Sequence, residues 1–105
     1  MIYPKHMEEL AVLVESSEKV VFFFTADWCP DCQFIYPFMP EIEGTFPSMT
    51  FVRIDRDVFI ELAQLWNILG IPSFVVTQNG KELGRLVNKL RKSKEEIVAF
   101  LKSVE

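Results

Sequence analysis

The chain has 105 residues and a formal charge of −4; half of it is hydrophobic and about a quarter charged. That length suits one domain, 1–105, and the composition can bury a core, which excludes a disordered chain. The acidic balance argues against a nucleic-acid binder, and no apolar run reaches the roughly 18 residues needed to span a membrane.

The start, Met1-Ile2-Tyr3-Pro4-Lys5-His6, has no apolar signal core, and neither end shows a lipidation pattern. A cytoplasmic location is therefore expected. Met7, Leu10, Ala11 and Val14 recur at helical spacing and predict a helix over about 6–17, with His6 a surface residue at its start. Val20-Val21-Phe22-Phe23-Phe24 is an unbroken apolar run, which suits a central strand covered on both faces. Ile35, Phe38, Met39, Ile42 and Phe46 predict a second helix starting near Cys29, with a kink where Pro37 and Pro40 interrupt it. Phe51, Val52 and Ile54 mark a second strand. Phe59, Leu62, Ala63 and Trp66 mark a third helix, expected to end at Gly70. Phe74-Val75-Val76 is a third strand, and Asn79-Gly80 predicts a tight hairpin into a fourth from about Glu82. Ile97, Phe100, Leu101 and Val104 close the chain as a helix, with Ser93 as its N-cap. Strands alternating with helices imply a parallel sheet with helices on its faces, and the hairpin adds an antiparallel edge. Ten phenylalanines predict an aromatic-rich core.

The two cysteines lie three apart in Trp28-Cys29-Pro30-Asp31-Cys32. A secreted disulfide framework needs more cysteines at wider spacing, so the pair reads as redox chemistry or half of a metal site. Structural zinc takes four ligands, and the chain adds only His6, so a zinc site would have to be shared between two chains. Cys29 falls after a buried strand and at the start of a helix, where free N–H groups and the helix dipole favour a thiolate. Cys32 lies one turn further along the same face, placed to resolve a mixed disulfide. Pro30 occupies an early helical position, where a missing N–H costs nothing. An exposed attacking thiol and a resolving thiol are therefore expected.

Thr25-Ala26-Asp27-Trp28-Cys29-Pro30-Asp31-Cys32 resembles the active-site segment of the thioredoxin family. Pro37 matches the family's helix-kinking proline, and Gly70-Ile71-Pro72-Ser73 resembles its Ile-Pro-Thr segment. The hairpin and final helix follow in family order, so the similarity covers nearly the whole chain. The resemblance implies an α/β, thioredoxin-like fold: a central mixed four-stranded sheet, with room for a short N-terminal strand at Ile2-Tyr3, flanked by four helices. It implies that Cys29 is the nucleophile and Cys32 the resolving thiol. Pro72 would be cis, and Ile71 would offer backbone hydrogen bonds to an extended substrate. Trp28 would shield the dithiol, and Leu90 would join the substrate surface. Asp27, Pro30 and Asp31 would tune the pair.

Four departures from the family pattern stand out. Pro30-Asp31 replaces the common Gly-Pro, bringing a carboxylate that disfavours a nearby thiolate and could act as base for Cys32. Phe23 and Phe51 occupy the positions of the family's buried Asp and its partner Lys, so both polar groups are lost together. The first strand shrinks to Ile2-Tyr3. The loop Asn88-Lys89-Leu90-Arg91-Lys92-Ser93 lacks the family glycine. Together, Arg85, Lys89, Arg91, Lys92 and Lys94 form a basic run that reads as a solvated loop or as a dock for an acidic partner.

The expected function is reduction of disulfides in cytosolic proteins, as a monomer, with no organic cofactor or metal. Electrons would come from a thioredoxin reductase-like donor. The alternatives are a partner-specific thiol oxidoreductase and a non-catalytic binding module on the same fold.

Overall fold

The structure is a computed structural model describing residues 1–105. The strands are β1 (Lys19–Thr25), β2 (Met49–Asp55), β3 (Ser73–Gln78) and β4 (Lys81–Leu86). The helices are α1 (Met7–Val14), α2 (Pro30–Ile35), α3 (Met39–Thr45), α4 (Ile60–Leu65) and α5 (Lys94–Ser103).

β1 is central because every residue from Val20 to Phe24 is apolar, and both of its faces are covered. Alternate side chains enter different cores. Val21 and Phe23 join Ile35, Met39, Ile42 and Phe46 of the α2–α3 region, with Ile97 and Leu101 of α5. Val20, Phe22 and Phe24 join Leu10 of α1 and Leu62 and Ala63 of α4. The sheet order is β2-β1-β3-β4. β1 runs parallel to β2 but antiparallel to β3, and β3 runs antiparallel to β4. The expectation that helix-separated strands would all be parallel fails at β3. β2 ends at Asp55 beside Thr25 and β3 starts at Ser73 beside Phe24, so the chain re-enters the sheet at the end it left and β3 runs back the other way.

The interrupted second helix does more than kink. α2 stops at Ile35, a 3₁₀ turn spans Tyr36–Phe38, and α3 restarts at Met39. Pro37 and Pro40 each lie in the first positions of a new segment, where no N–H is needed. Taken as one broken helix, α2–α3 gives the four expected helical units. The N-terminal strand shrinks to a single bridge, Ile2 to Val52, with hydrogen bonds on each side of Ile2. His6 is exposed and its side chain makes no cap bond.

Two helix ends differ from expectation. α4 stops well before Gly70, because Asn67 adopts φ 55°. The Ile68 N–H then reaches Ala63 O (2.9 Å) and the Asn67 N–H reaches Gln64 O (3.2 Å). That is a left-handed cap with asparagine in the usual glycine position. α1 ends at Val14, and the hairpin turn satisfies the carbonyls beyond it: Gly80 N–H donates to Val14 O (2.9 Å) and Asn79 N–H to Ser16 O (2.8 Å). Asn79 and Gly80 both have positive φ, 54° and 78°, as a tight type I′ hairpin requires. Ser93 caps α5 as expected, accepting from Glu96 N–H at 3.1 Å.

Gly70 serves a different purpose from the one its position suggested. A Cβ there would meet Asn88 O at 2.5 Å and Lys89 Cα at 2.7 Å, both backbone atoms. Its bare Cα lets the loop before β3 abut the loop before α5. Gly70→Ala should therefore cost about 1–3 kcal/mol through overpacking. Gly44→Ala places its methyl in helix α3 with nothing within 4 Å, and should gain up to about 1 kcal/mol. Urea unfolding midpoints of the two variants check both signs.

Candidate active site

β1 delivers the chain through Thr25 and Ala26 to Cys29, the N-cap of α2. The Cys29 sulfur accepts the Cys32 backbone N–H at 3.2 Å, so an otherwise orphan helix donor points at it. Pro30 follows in the first helical position. The Ile71 carbonyl lies 3.8 Å from Cys29 Sγ, and the Ile71–Pro72 bond is cis, as the resemblance implied. Both cysteines are free thiols. No group of three or more His, Cys, Asp or Glu side chains gathers as a metal site.

The two sulfurs sit in different surroundings. Cys32 is wholly buried, and burial pushes its thiol up to about 11, with the Cys29 sulfur adding to the rise. The Thr25 hydroxyl and the Ala26 backbone work in the other direction. Burial, rather than Asp31, makes Cys32 a weak acid. Cys29 is not the exposed thiol expected: only 5% of the residue is accessible. It is reached through a groove of about 350 Å³, lined by Trp28, Pro30, Asp31, Ile71 and Lys89 among others.

Trp28 flanks the groove and is 60% exposed. Its indole N–H donates to Asp57 Oδ2 at 2.6 Å, and the Arg56 guanidinium lies 5.4 Å from the ring centre. These contacts fix an aromatic wall beside Cys29.

The remaining predicted residues divide. Asp31 makes no hydrogen bond to Cys32. Its Oδ1 accepts from Arg91 Nε at 3.0 Å, and Arg91 also stacks over Phe34 at 4.3 Å. Asp27 makes no hydrogen bond to either sulfur; its carboxylate pairs with Arg53 at 2.9 Å. Leu90 is exposed and lies outside the groove, whose lining includes its neighbour Lys89 instead. Phe23 stacks on Phe74, with centroids 5.0 Å apart, and Phe51 is buried in the same core. Aromatic packing thus fills the place of a polar pair.

The basic run is not a free cationic patch. Arg85 holds Glu82, Arg91 holds Asp31 and Lys94 holds Glu41. Lys92 is wholly buried, which leaves Lys89 as the one exposed, unpaired member. Sequence reasoning also missed Arg56 and Asp57, which carry no motif and reach Trp28 from the end of β2, and gave no role to Thr25 within the active-site segment.

The thioredoxin family model matches residues 4–103. The chain belongs to the thioredoxin family. It is 33% identical to Thioredoxin H1 of Arabidopsis thaliana over 92 residues, covering 88% of this chain and 81% of that protein. It is 32% identical to Thioredoxin H2-1 of Oryza sativa over 88 residues, covering 84% of this chain and 64% of that one. Among solved structures, a thioredoxin from Trypanosoma brucei brucei superposes with a TM-score of 0.88 at 24% identity, over 99% of this chain and 89% of that one. A Plasmodium falciparum thioredoxin gives 0.81 at 26% identity, over 94% and 97%. This thioredoxin-family chain is a thiol–disulfide oxidoreductase with a two-cysteine site.

The Trp28–Asp57 contact yields a pH prediction. The indole N–H holds the Asp57 carboxyl below the usual aspartate range; slight burial opposes this and Arg56 reinforces it. A depressed carboxylate keeps its bond at neutral pH and loses it as pH falls through the folded-state titration. Trp28→Phe should move the Asp57 titration upward, toward an ordinary carboxylate. Carboxyl-carbon NMR titration checks this, and an unmoved midpoint would refute it.

Proposed function

We propose that this thioredoxin-family protein reduces disulfides of cytoplasmic proteins, with Cys29 as nucleophile and Cys32 as resolving thiol. The observation that carries the reading is the asymmetry of the pair. One sulfur caps a helix at the base of a groove, while the other is buried and held as a thiol.

The reaction balances within the dithiol and its substrate. The Cys29 thiolate attacks one sulfur of the substrate disulfide. That S–S bond breaks, a mixed disulfide forms, and the released substrate thiolate takes a proton. Cys32 then gives up its proton and attacks Cys29 Sγ. An intramolecular disulfide forms and the second substrate thiol leaves, so two electrons have passed to the substrate. An external dithiol of the thioredoxin reductase type restores the pair.

An extended segment fits the groove between Trp28 and Ile71, where the Ile71 backbone lies beside Cys29 and is open to strand-like pairing. No helix is long and apolar enough to cross a membrane. The cytoplasmic location rests on cysteine usage: two closely spaced thiols and no structural disulfide fit a reducing compartment.

Cys29→Ser should abolish reduction of a protein disulfide. Cys32→Ser should accumulate a mixed disulfide, visible on non-reducing gels and by mass. A Cys32→Ser protein that turns over normally would overturn the assignment. The release step has its own signature. Since the Cys32 thiol is pushed up to about 11, its thiolate fraction climbs about tenfold per pH unit below that value. The single-turnover release rate should therefore keep rising between about pH 7 and pH 9; this is checked by rapid-quench trapping.

A further inference from the structure

Lys92 is a buried charge that this chemistry leaves unused. Its side chain is fully enclosed. The ammonium donates to Leu90 O at 2.7 Å, Asn88 Oδ1 at 2.8 Å and Asn88 O at 3.0 Å. Three acceptors match the three N–H bonds of an ammonium, so the cage is built for the protonated form. All three acceptors are neutral, however, and Lys92 takes part in no ion pair. A buried cation without a counter-charge is costly.

The anionic groups that face it come from two elements: Glu96 from α5, then Cys32, Asp31 and Cys29 from the first turn of α2. Asp31 is already neutralised by Arg91. Lys89, Arg91 and Lys94 flank Lys92 in sequence and add like charge. Arg91 pins this loop to α2 through Asp31 and Phe34, and Gly70 lets residues 88 and 89 abut the loop that carries Ile71. Lys92 is therefore held at the junction of the elements that carry the dithiol and the Cys29 groove.

We propose that Lys92 is a positioning residue of the redox reaction, its caged ammonium serving as counter-charge to the thiolate formed when the Cys29–Cys32 disulfide is reduced. The proposal rests on reading that pair as the redox site. Reduction by an external dithiol adds two electrons and breaks the S–S bond. One donor proton goes to Cys32, the other to water; Cys29 stays a thiolate, and the donor becomes a disulfide. The charge created on the helix turn that faces Lys92 is thus absent from the oxidised protein. Burial lowers the lysine's proton affinity, and Glu96 first, then the sulfurs and Asp31, work against that fall; the sulfur contribution is the part that depends on the redox state. By linkage, whatever the thiolate does for Lys92, Lys92 does for the thiolate.

The wild-type protein supplies the first test. NMR of the lysine side-chain amines should place the Lys92 titration about one pH unit higher in the reduced than in the oxidised protein. Equal midpoints would overturn the proposal. Lys92→Gln supplies the second, because it keeps an amide donor for the loop carbonyls and removes only the charge. Thiolate absorbance of its reduced dithiol should titrate about one pH unit higher, a tenfold loss of acidity. Its reduction potential should be about 30 mV more negative above both midpoints, and the gap should vanish below them. Lys92→Arg should restore both readings. A folded Lys92→Gln protein with unchanged midpoint and potential would also overturn the proposal. If that variant does not fold, the wild-type comparison decides. A wild-type pair that never cycles between disulfide and dithiol is a separate result, and refutes the oxidoreductase reading instead.

Discussion

β1 has no polar face: Val20 to Phe24 are buried on both sides, and the strand hydrogen-bonds to a neighbour along each edge. Such a strand cannot slip by one residue without exchanging its two sets of side chains between two differently shaped cores. The end of β1 is therefore fixed in space, and with it the handover through Thr25 and Ala26 to Cys29. Placement of the thiols is a consequence of core packing several residues earlier. This is how a six-residue helix, too short to be stable alone, can hold its first turn still enough to aim an N–H at a sulfur.

Phe23 and Phe51 show how the same frame can carry different electrostatics. Burying each phenylalanine stabilises by about 1.5–3 kcal/mol, whereas an unpaired buried charge at either place would cost several kcal/mol. The sheet beneath the dithiol is consequently apolar, and polar influence on the sulfurs comes from the side instead. Thr25 and Ala26 reach Cys32 from the strand end, and the loop before α5 brings Asn88, Arg91 and Lys92 against α2. The charges that matter sit on the segment that departs most from the family pattern.

Most of the frame was legible in the sequence because it rests on local signals. The five-residue apolar run, Asn79-Gly80 and Ser93 each report their own conformation through periodicity, turn chemistry or capping. The errors share a cause: they depend on what lies across space. Nothing within residues 59–70 says that Asn67, rather than Gly70, turns left-handed, since Gly70 is claimed by the backbone of residues 88 and 89. The antiparallel entry of β3 follows from the end of the sheet at which the chain re-enters, not from the strand's composition. At the site, Cys29 and Cys32 were legible from their spacing at a helix start, whereas Trp28, Ile71 and Pro72 came only through the family resemblance. The Arg91 partner of Asp31 was not legible because it lies 60 residues away. Lys92 was counted among surface charges because lysine composition says nothing about burial.

The cap that the hairpin places on α1 changes the status of that hairpin. The tip at Asn79-Gly80 would ordinarily be the most permissive position in such a chain, the natural point at which to insert a loop or open new termini. Here its two backbone N–H groups are spoken for by Val14 and Ser16, and a side chain at Gly80 would run into the Glu15 carboxylate. The turn acts as a clasp between the first helix and the last two strands. Lengthening it would release the N-terminal helix as well as the hairpin, so the tolerant positions for insertion in this protein lie elsewhere on its surface.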